Sequence, residues 1–191
     1  MLKKGEVGIG TLILFIAMIL VAAIAASVLI QTATSLQNKA LLTGKRTQSV
    51  VGSGMQALLL YGTDGSDDAR IEELRLKVKL MAGSESIRFN ETLIEVDTRN
   101  DSIDLEYSSG LCNDSNTNST HFTVETLIEG ANSRTGYLQS GDVVMICFDA
   151  PHPMAKDEEL QVRIIPRYAQ VLLIETAIPE TVLTNRVFIF P

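Results

Sequence analysis

The chain has 191 residues, 46% of them hydrophobic, with two cysteines, no tryptophan and a net charge of −7. An acidic balance of that size, with a pI near 4.8, argues against nucleic acid as a partner. Once one hydrophobic helix is set aside, the length leaves about one globular domain.

The chain opens on a short basic head, Met1-Leu2-Lys3-Lys4-Gly5, and then runs into EVGIGTLILFIAMILVAAIAASVLIQ from Glu6 to Gln31. No charged side chain lies between Glu6 and Lys39. As a helix, Val7 to Ile30 would be roughly 36 Å long, enough for a bilayer core of about 30 Å. Apolar residues occupy every side, which excludes the surface helix of a globular domain. Such a segment belongs in lipid or in the dry interior of a large assembly. Removal at the small-residue tract Ala22 to Ser27 would discard it as a secretory signal and leave a soluble domain. Cleavage between Gly5 and Glu6 would keep it.

The head and the residues just after it favour the second reading. Lys3-Lys4-Gly5-Glu6-Val7-Gly8-Ile9-Gly10-Thr11-Leu12-Ile13 resembles the class III signal of type IV pilins and, more closely, of archaeal flagellins (archaellins). The continuation TLILFIAMILVAAIAASVLIQTATSLQNKA is similar to the archaellin N-terminal helix. The resemblance implies a prepilin-type peptidase that reads Lys3, Lys4, Gly5 and Glu6 and removes residues 1–5, taking two lysines with them. Glu6 also suits the positive end of the helix dipole. The pilin role of a glutamate at the fifth mature position does not transfer, because that position here is Gly10.

From about Gln31 to Tyr61, apolar or small residues recur at Leu36, Ala40, Thr47, Val51, Met55 and Leu58. That period predicts an amphipathic continuation, so that one filament-core helix covers residues 6–61. Gly44, Gly52 and Gly54 each weaken it by up to ~1 kcal/mol against alanine. Residues 62–69, from Gly62 through Asp64-Gly65-Ser66-Asp67-Asp68, read as a turn-rich linker.

After residue 69 the period becomes two. Leu74, Leu76, Val78 and Leu80 alternate with Arg75, Lys77 and Lys79, the pattern of a half-buried strand. Seven further strands are predicted, at 86–98, 102–107, 121–129, 142–148, 160–166, 170–177 and 185–190. Turn signals between them include Arg99-Asn100-Asp101 and Pro151-His152-Pro153. The predicted fold is α+β: a long N-terminal hydrophobic helix followed by an antiparallel immunoglobulin-like β-sandwich over 70–191. The resemblance implies the same architecture, and LQSGDVVMICFD (138–149) and LQVRIIPRYAQVLLIETAIPE (160–180) are similar, more loosely, to archaellin C-terminal motifs.

No nucleophile elbow, phosphate-binding glycine loop or HExxH motif is present, and His121 and His152 stand in separate segments without a ligand set. No catalysis and no cofactor are expected. Two acidic clusters invite a structural calcium or magnesium ion, Asp64/Asp67/Asp68 and Asp97/Asn100/Asp101/Asp104. Neither follows the D-x-[DN]-x-[DN]-G spacing, and solvated turn carboxylates are the competing reading.

Four N-x-[ST] sequons, at Asn90, Asn100, Asn113 and Asn118, fall between residues 90 and 120. In an exported chain they are acceptors for an oligosaccharyltransferase and must face outward. Outside the cell the even count of two cysteines, Cys112 and Cys147, favours a disulfide. A disulfide would pin the glycan loop to the sheet, the alternative being two buried thiols.

The expected function is that of a structural subunit of the archaellum, an extracellular swimming filament that polymerises through its N-terminal helix. The subunit would reside first in the membrane. Partners implied are copies of itself or paralogous subunits, the peptidase, and an assembly ATPase with its membrane platform. The alternatives are an adhesive type IV-like pilin and a membrane-anchored extracellular domain that never polymerises.

Overall fold

The computed structural model describes residues 3–63, 70–112, 120–180 and 186–190. Two compact units make up the chain, Met1–Arg46 and Thr47–Pro191.

The first unit is helix. α1 runs from Lys3 to Gly52, 50 residues, so its first turn takes in Lys3, Lys4 and Gly5 of the basic head. Its hydroxyls fold back onto the helix. Thr11 Oγ1 donates to the Gly8 carbonyl (2.9 Å), Thr32 to Leu29 (2.9 Å) and Thr34 to Ile30 (2.8 Å). This is how a hydroxyl is satisfied where water is absent.

α1 stops at Gly52, not at Tyr61, and residues 55–61, expected to be helical, form a strand. The reason lies in Ser53 and Gly54. Ser53 Oγ accepts the Glu85 amide (3.0 Å) and its carbonyl accepts the Gln170 amide (2.8 Å). The Gly54 amide donates to Ser84 Oγ (3.0 Å), and its carbonyl accepts the Met81 amide (2.9 Å). Bonds to distant segments replace the helical ladder, and the chain enters the sheet. The compact β unit therefore begins before the expected 62–69 linker, of which residues 64–69 lie outside the described residues.

The strands of the second unit are β1 (Met55–Thr63), β2 (Ile71–Leu80), β3 (Ile87–Arg88), β4 (Thr92–Thr98), β5 (Ser102–Tyr107), β6 (His121–Ile128), β7 (Tyr137–Leu138), β8 (Val143–Met154), β9 (Glu159–Pro166), β10 (Leu172–Ala177) and β11 (Arg186–Phe190). A 3-10 turn, Phe89–Glu91, separates β3 from β4. Nine strands form one sheet in the order β10-β9-β4-β5-β6-β8-β2-β1-β11, and β3 pairs with β7 apart from it. The sheet folds over into two layers, β10-β9-β4-β5 against β6-β8-β2-β1-β11, with β4 facing β8 and β10 facing β1 and β11 across the core. At the far side Thr176 Oγ1 on β10 donates to the Ile189 carbonyl on β11 (3.0 Å), tying the two ends of the sheet together. The result is a long helix followed by an antiparallel-dominated β-sandwich.

Alternation fills the space between the layers. Leu74, Leu76 and Val78 of β2 meet Ile94 and Val96 of β4, Val162 and Ile164 of β9, and Phe122, Ile146 and Phe148 in one buried cluster. Two strand features differ from expectation. β5 and β6 pair in parallel, Glu106 with His121 and Tyr107 with Phe122, where the chain crosses between layers. β8 runs through Pro151 and Pro153, which were expected to form a turn. Its register against β2 moves from Asp149 opposite Glu73 to Met154 opposite Ile71, so the prolines sit in a bulge that needs no ladder donor.

The β6–β8 loop is held by a buried carboxylate. Asp142, 1% exposed, accepts the Gly130 amide (2.7 Å) and the Gln139 amide (3.0 Å). A Cβ at Gly130 would stand 2.6 Å from the Ser140 carbonyl oxygen, so the close approach requires glycine.

Candidate assembly surface and modification sites

The β unit buries most of its large apolar residues; α1 buries none of those between Val7 and Ile30. Leu12 (61%), Phe15 (63%), Met18 (73%) and Leu29 (68%) stand exposed, as do the apolar residues between them. By length and composition α1 can cross a membrane. An apolar surface that continuous, on every side of a helix, is far beyond what a soluble monomer exposes. Chemically it does one thing: it seeks lipid or other helices like itself. Ala22, Ala23, Ala25, Ala26 and Ser27 keep one stretch narrow, which lets helix backbones approach closely.

The sequons divide. Asn90 lies in the 3-10 turn before β4, and Asn100 in the turn between β4 and β5; both are exposed. Asn113 and Asn118 lie outside the described residues. The two described sequons differ in their hydroxyl residue. Thr92, partner to Asn90, is 6% exposed and donates to the Arg88 carbonyl (2.7 Å). Ser102, partner to Asn100, is exposed and donates to the Asp97 carboxylate.

Cys112 and Cys147, 35 residues apart, are joined by a disulfide. Cys147 lies on β8, on the outer side of its layer, where Tyr61 and Met145 pack with the two cysteines in a small second cluster. The bridge ties the start of the segment that carries Asn113 and Asn118 to this layer.

The candidate metal residues do not assemble into a site. Asp97 faces Ser102 and Arg163, with Arg163 Nη2 at 3.4 Å from its Oδ2. Arg163 also binds Glu95 on the neighbouring strand. Asp104 sits on β5 directly opposite Glu95. Asp101 turns toward His152, its Oδ2 3.0 Å from Nδ1. Among the described residues no group of three histidine, cysteine or carboxylate side chains is placed to hold a metal ion. The cluster is a salt-bridged strand face instead, while Asp64, Asp67 and Asp68 lie outside the described residues.

His152, solitary in the sequence, has company from across the fold. Its Nε2 is 2.7 Å from Glu158 Oε1, while Nδ1 is near Asp101 but outside hydrogen-bond alignment. Only the topology brings residues 101, 152 and 158 together, so spacing gave no signal. His121 Nδ1 pairs with the adjacent Thr120 hydroxyl at 2.7 Å.

An uncovered apolar helix, joined in sequence to a β-sandwich that is complete without it, defines a subunit class built to be packed by its helix. Within that class the chain belongs to the archaeal-type flagellin family, whose model matches residues 5–175. Flagellin B3 of Halobacterium salinarum is 33% identical over 181 residues, 94% of this chain and 91% of that protein. Flagellin B1 of Thermoplasma volcanium is 41% identical over 138 residues, 70% of this chain but only 53% of that longer protein. The chain also superposes on the archaeal flagellum of Methanospirillum hungatei strain JF1 with a TM-score of 0.72, over 96% of this chain and 99% of that one. At 16% identity that likeness is one of fold.

Proposed function

We propose that this chain is a structural subunit of an archaellum filament, polymerised through α1 and serving swimming. The observation that carries the reading is the helix from Val7 to Ile30, exposed on all sides in a chain whose β unit buries its own core. In the membrane the helix gains nothing hydrophobic by leaving lipid for other helices, since lipid tails are as apolar as leucine. Transfer into a filament core is therefore near neutral in the apolar term, and close packing at Ala22 to Ser27 favours it. Extraction into water is another matter. At roughly 25 cal/mol per Å2 of apolar surface it costs tens of kcal/mol per subunit, so a finished filament is durable.

Directional growth then calls for an outside energy source, an assembly ATPase acting through a membrane platform. Removal of residues 1–5 by a prepilin-type peptidase frees Glu6 as the first mature residue. An oligosaccharyltransferase modifies the outward sequons, and the Cys112–Cys147 bridge secures the segment that carries two of them. Shearing cells and probing the medium tests the reading. A filament subunit is recovered there in quantity, whereas a domain that α1 merely anchors stays with the membrane.

A further inference from the structure

Charge is distributed very unevenly along the chain. No carboxylate occurs between Glu6 and Asp64, yet the exposed helix carries Lys39, Lys45 and Arg46. Lys39 and Arg46 are seven residues apart, two helical turns and roughly 10 Å, so the three cations form a short collar. None has an ion-pair partner among the described residues. Residues 64–191 are the reverse, with twenty-two carboxylates against eleven lysines and arginines.

One outer face of the β unit groups five carboxylates. The solvent side of β9-β4-β5 presents Glu95, Asp97, Asp104, Glu106 and Glu159. Arg163 serves Glu95 and Asp97, and Arg99 serves Glu159 at 3.7 Å. Asp104 and Glu106 are exposed, two residues apart on one side of β5, with no cation beside them among the described residues. The outer face of the opposite layer mixes Arg75, Lys77 and Lys79 of β2 with Glu73 of the same strand, which pairs with Arg75, and Glu125 of β6, so cations outnumber these carboxylates there.

We infer that in the assembled filament the Lys39/Lys45/Arg46 collar of one copy docks against the Asp104/Glu106 face of a second copy. The inference rests on the filament reading above. Packed helices bring like-charged collars close together. The carboxylates that can offset them sit on β units, and the β9-β4-β5 face offers Asp104 and Glu106 side by side without a cation among the described residues. Such a contact joins two different surfaces, the kind that extends into a helical array wherever the rotation between copies does not close a ring. It fixes axial register, which the apolar helix surface alone leaves loosely specified.

Carbodiimide, which joins amines to carboxylates only at contact distance, tests this on sheared filaments. Mass spectrometry is expected to find Lys39 or Lys45 linked to Asp104 or Glu106 in filaments and not in detergent-dispersed subunits. Links to other carboxylates alone, such as Glu6 or Glu73, or none, overturn the inference. A charge exchange gives the second arm. Lys39→Glu/Lys45→Glu/Arg46→Glu and Asp104→Lys/Glu106→Lys are each expected to lower the sheared-filament yield by about tenfold or more, and their combination to restore it. Formation of the Cys112–Cys147 bridge in each variant reports that the β unit has folded. Undiminished yield from either set alone, or no recovery on combination, also overturns it. If the unaltered chain gives no sheared filaments, the filament reading itself fails and the collar contact falls with it.

Discussion

Gly62 and Ile71 are in such close contact that a Cβ placed on Gly62 would lie 2.4 Å from Ile71 Cγ2. Ile71 is fully buried, and Gly62 sits between Leu74 on β2 and Val187 on β11. Gly62→Ala is expected to destabilise the β unit by about 1–3 kcal/mol through overpacking. Denaturant unfolding of the detergent-dispersed chain measures it. Ile71→Ala removes the opposing methyl, so the double variant should be less destabilised than the sum of the two. Simple additivity would show that the contact is relieved some other way.

The disulfide closes a loop of 35 residues in sequence. Replacing both cysteines by serine should cost about 2–4 kcal/mol of unfolding free energy. Reductant should shift the unaltered chain by a comparable amount and leave the double-serine variant where it is. A reductant effect of the same size on both would assign the loss to something other than the bridge.

The two described sequons should not be used equally on folded chains. Recognition of N-x-[ST] involves the hydroxyl residue, and Thr92 is buried and bonded to the Arg88 carbonyl whereas Ser102 is exposed. Glycopeptide mass spectrometry of sheared filaments should show higher occupancy at Asn100 than at Asn90. Equal and full occupancy would mean that sugar is attached before β4 forms.

Ala22→Leu with Ala26→Leu widens one face of α1 by two side chains a single turn apart. Hydropathy rises, so membrane insertion is kept or improved. Packed interiors tolerate added volume badly, at roughly 1–3 kcal/mol per overpacked site, and in a filament the penalty recurs at every subunit. The expected phenotype is processed, membrane-bound subunit with few or short filaments and non-swimming cells. Normal filaments would mean that α1 acts as an anchor, or packs loosely.

Much of the architecture is legible in the chain itself, because its two periodicities are strong. The apolar run from Val7 to Ile30 declares a helix without an intramolecular partner, and Leu74-x-Leu76-x-Val78-x-Leu80 declares a two-layer core. The failures have local causes. Ala57-Leu58-Leu59-Leu60 are good helix formers on a plausible helical stripe, and they became strand because Ser53 and Gly54 bond to segments near residues 81–85 and 170. Pro151 and Pro153 signalled a turn because a bulge that excuses them from the ladder has no signature of its own. The acidic group around Asp97 looked open to a cation because Arg163, 66 residues on, is invisible until β4 and β9 pair.

The central claim is that the apolar helix stays in the finished filament. The N-terminal residue of subunits recovered from sheared extracellular filaments tests it most directly. The expected chain begins at Glu6 and contains all of Val7 to Ile30. Extracellular protein that begins at or beyond the Ala22–Ser27 tract would contradict it, because such a chain has no helix left to pack.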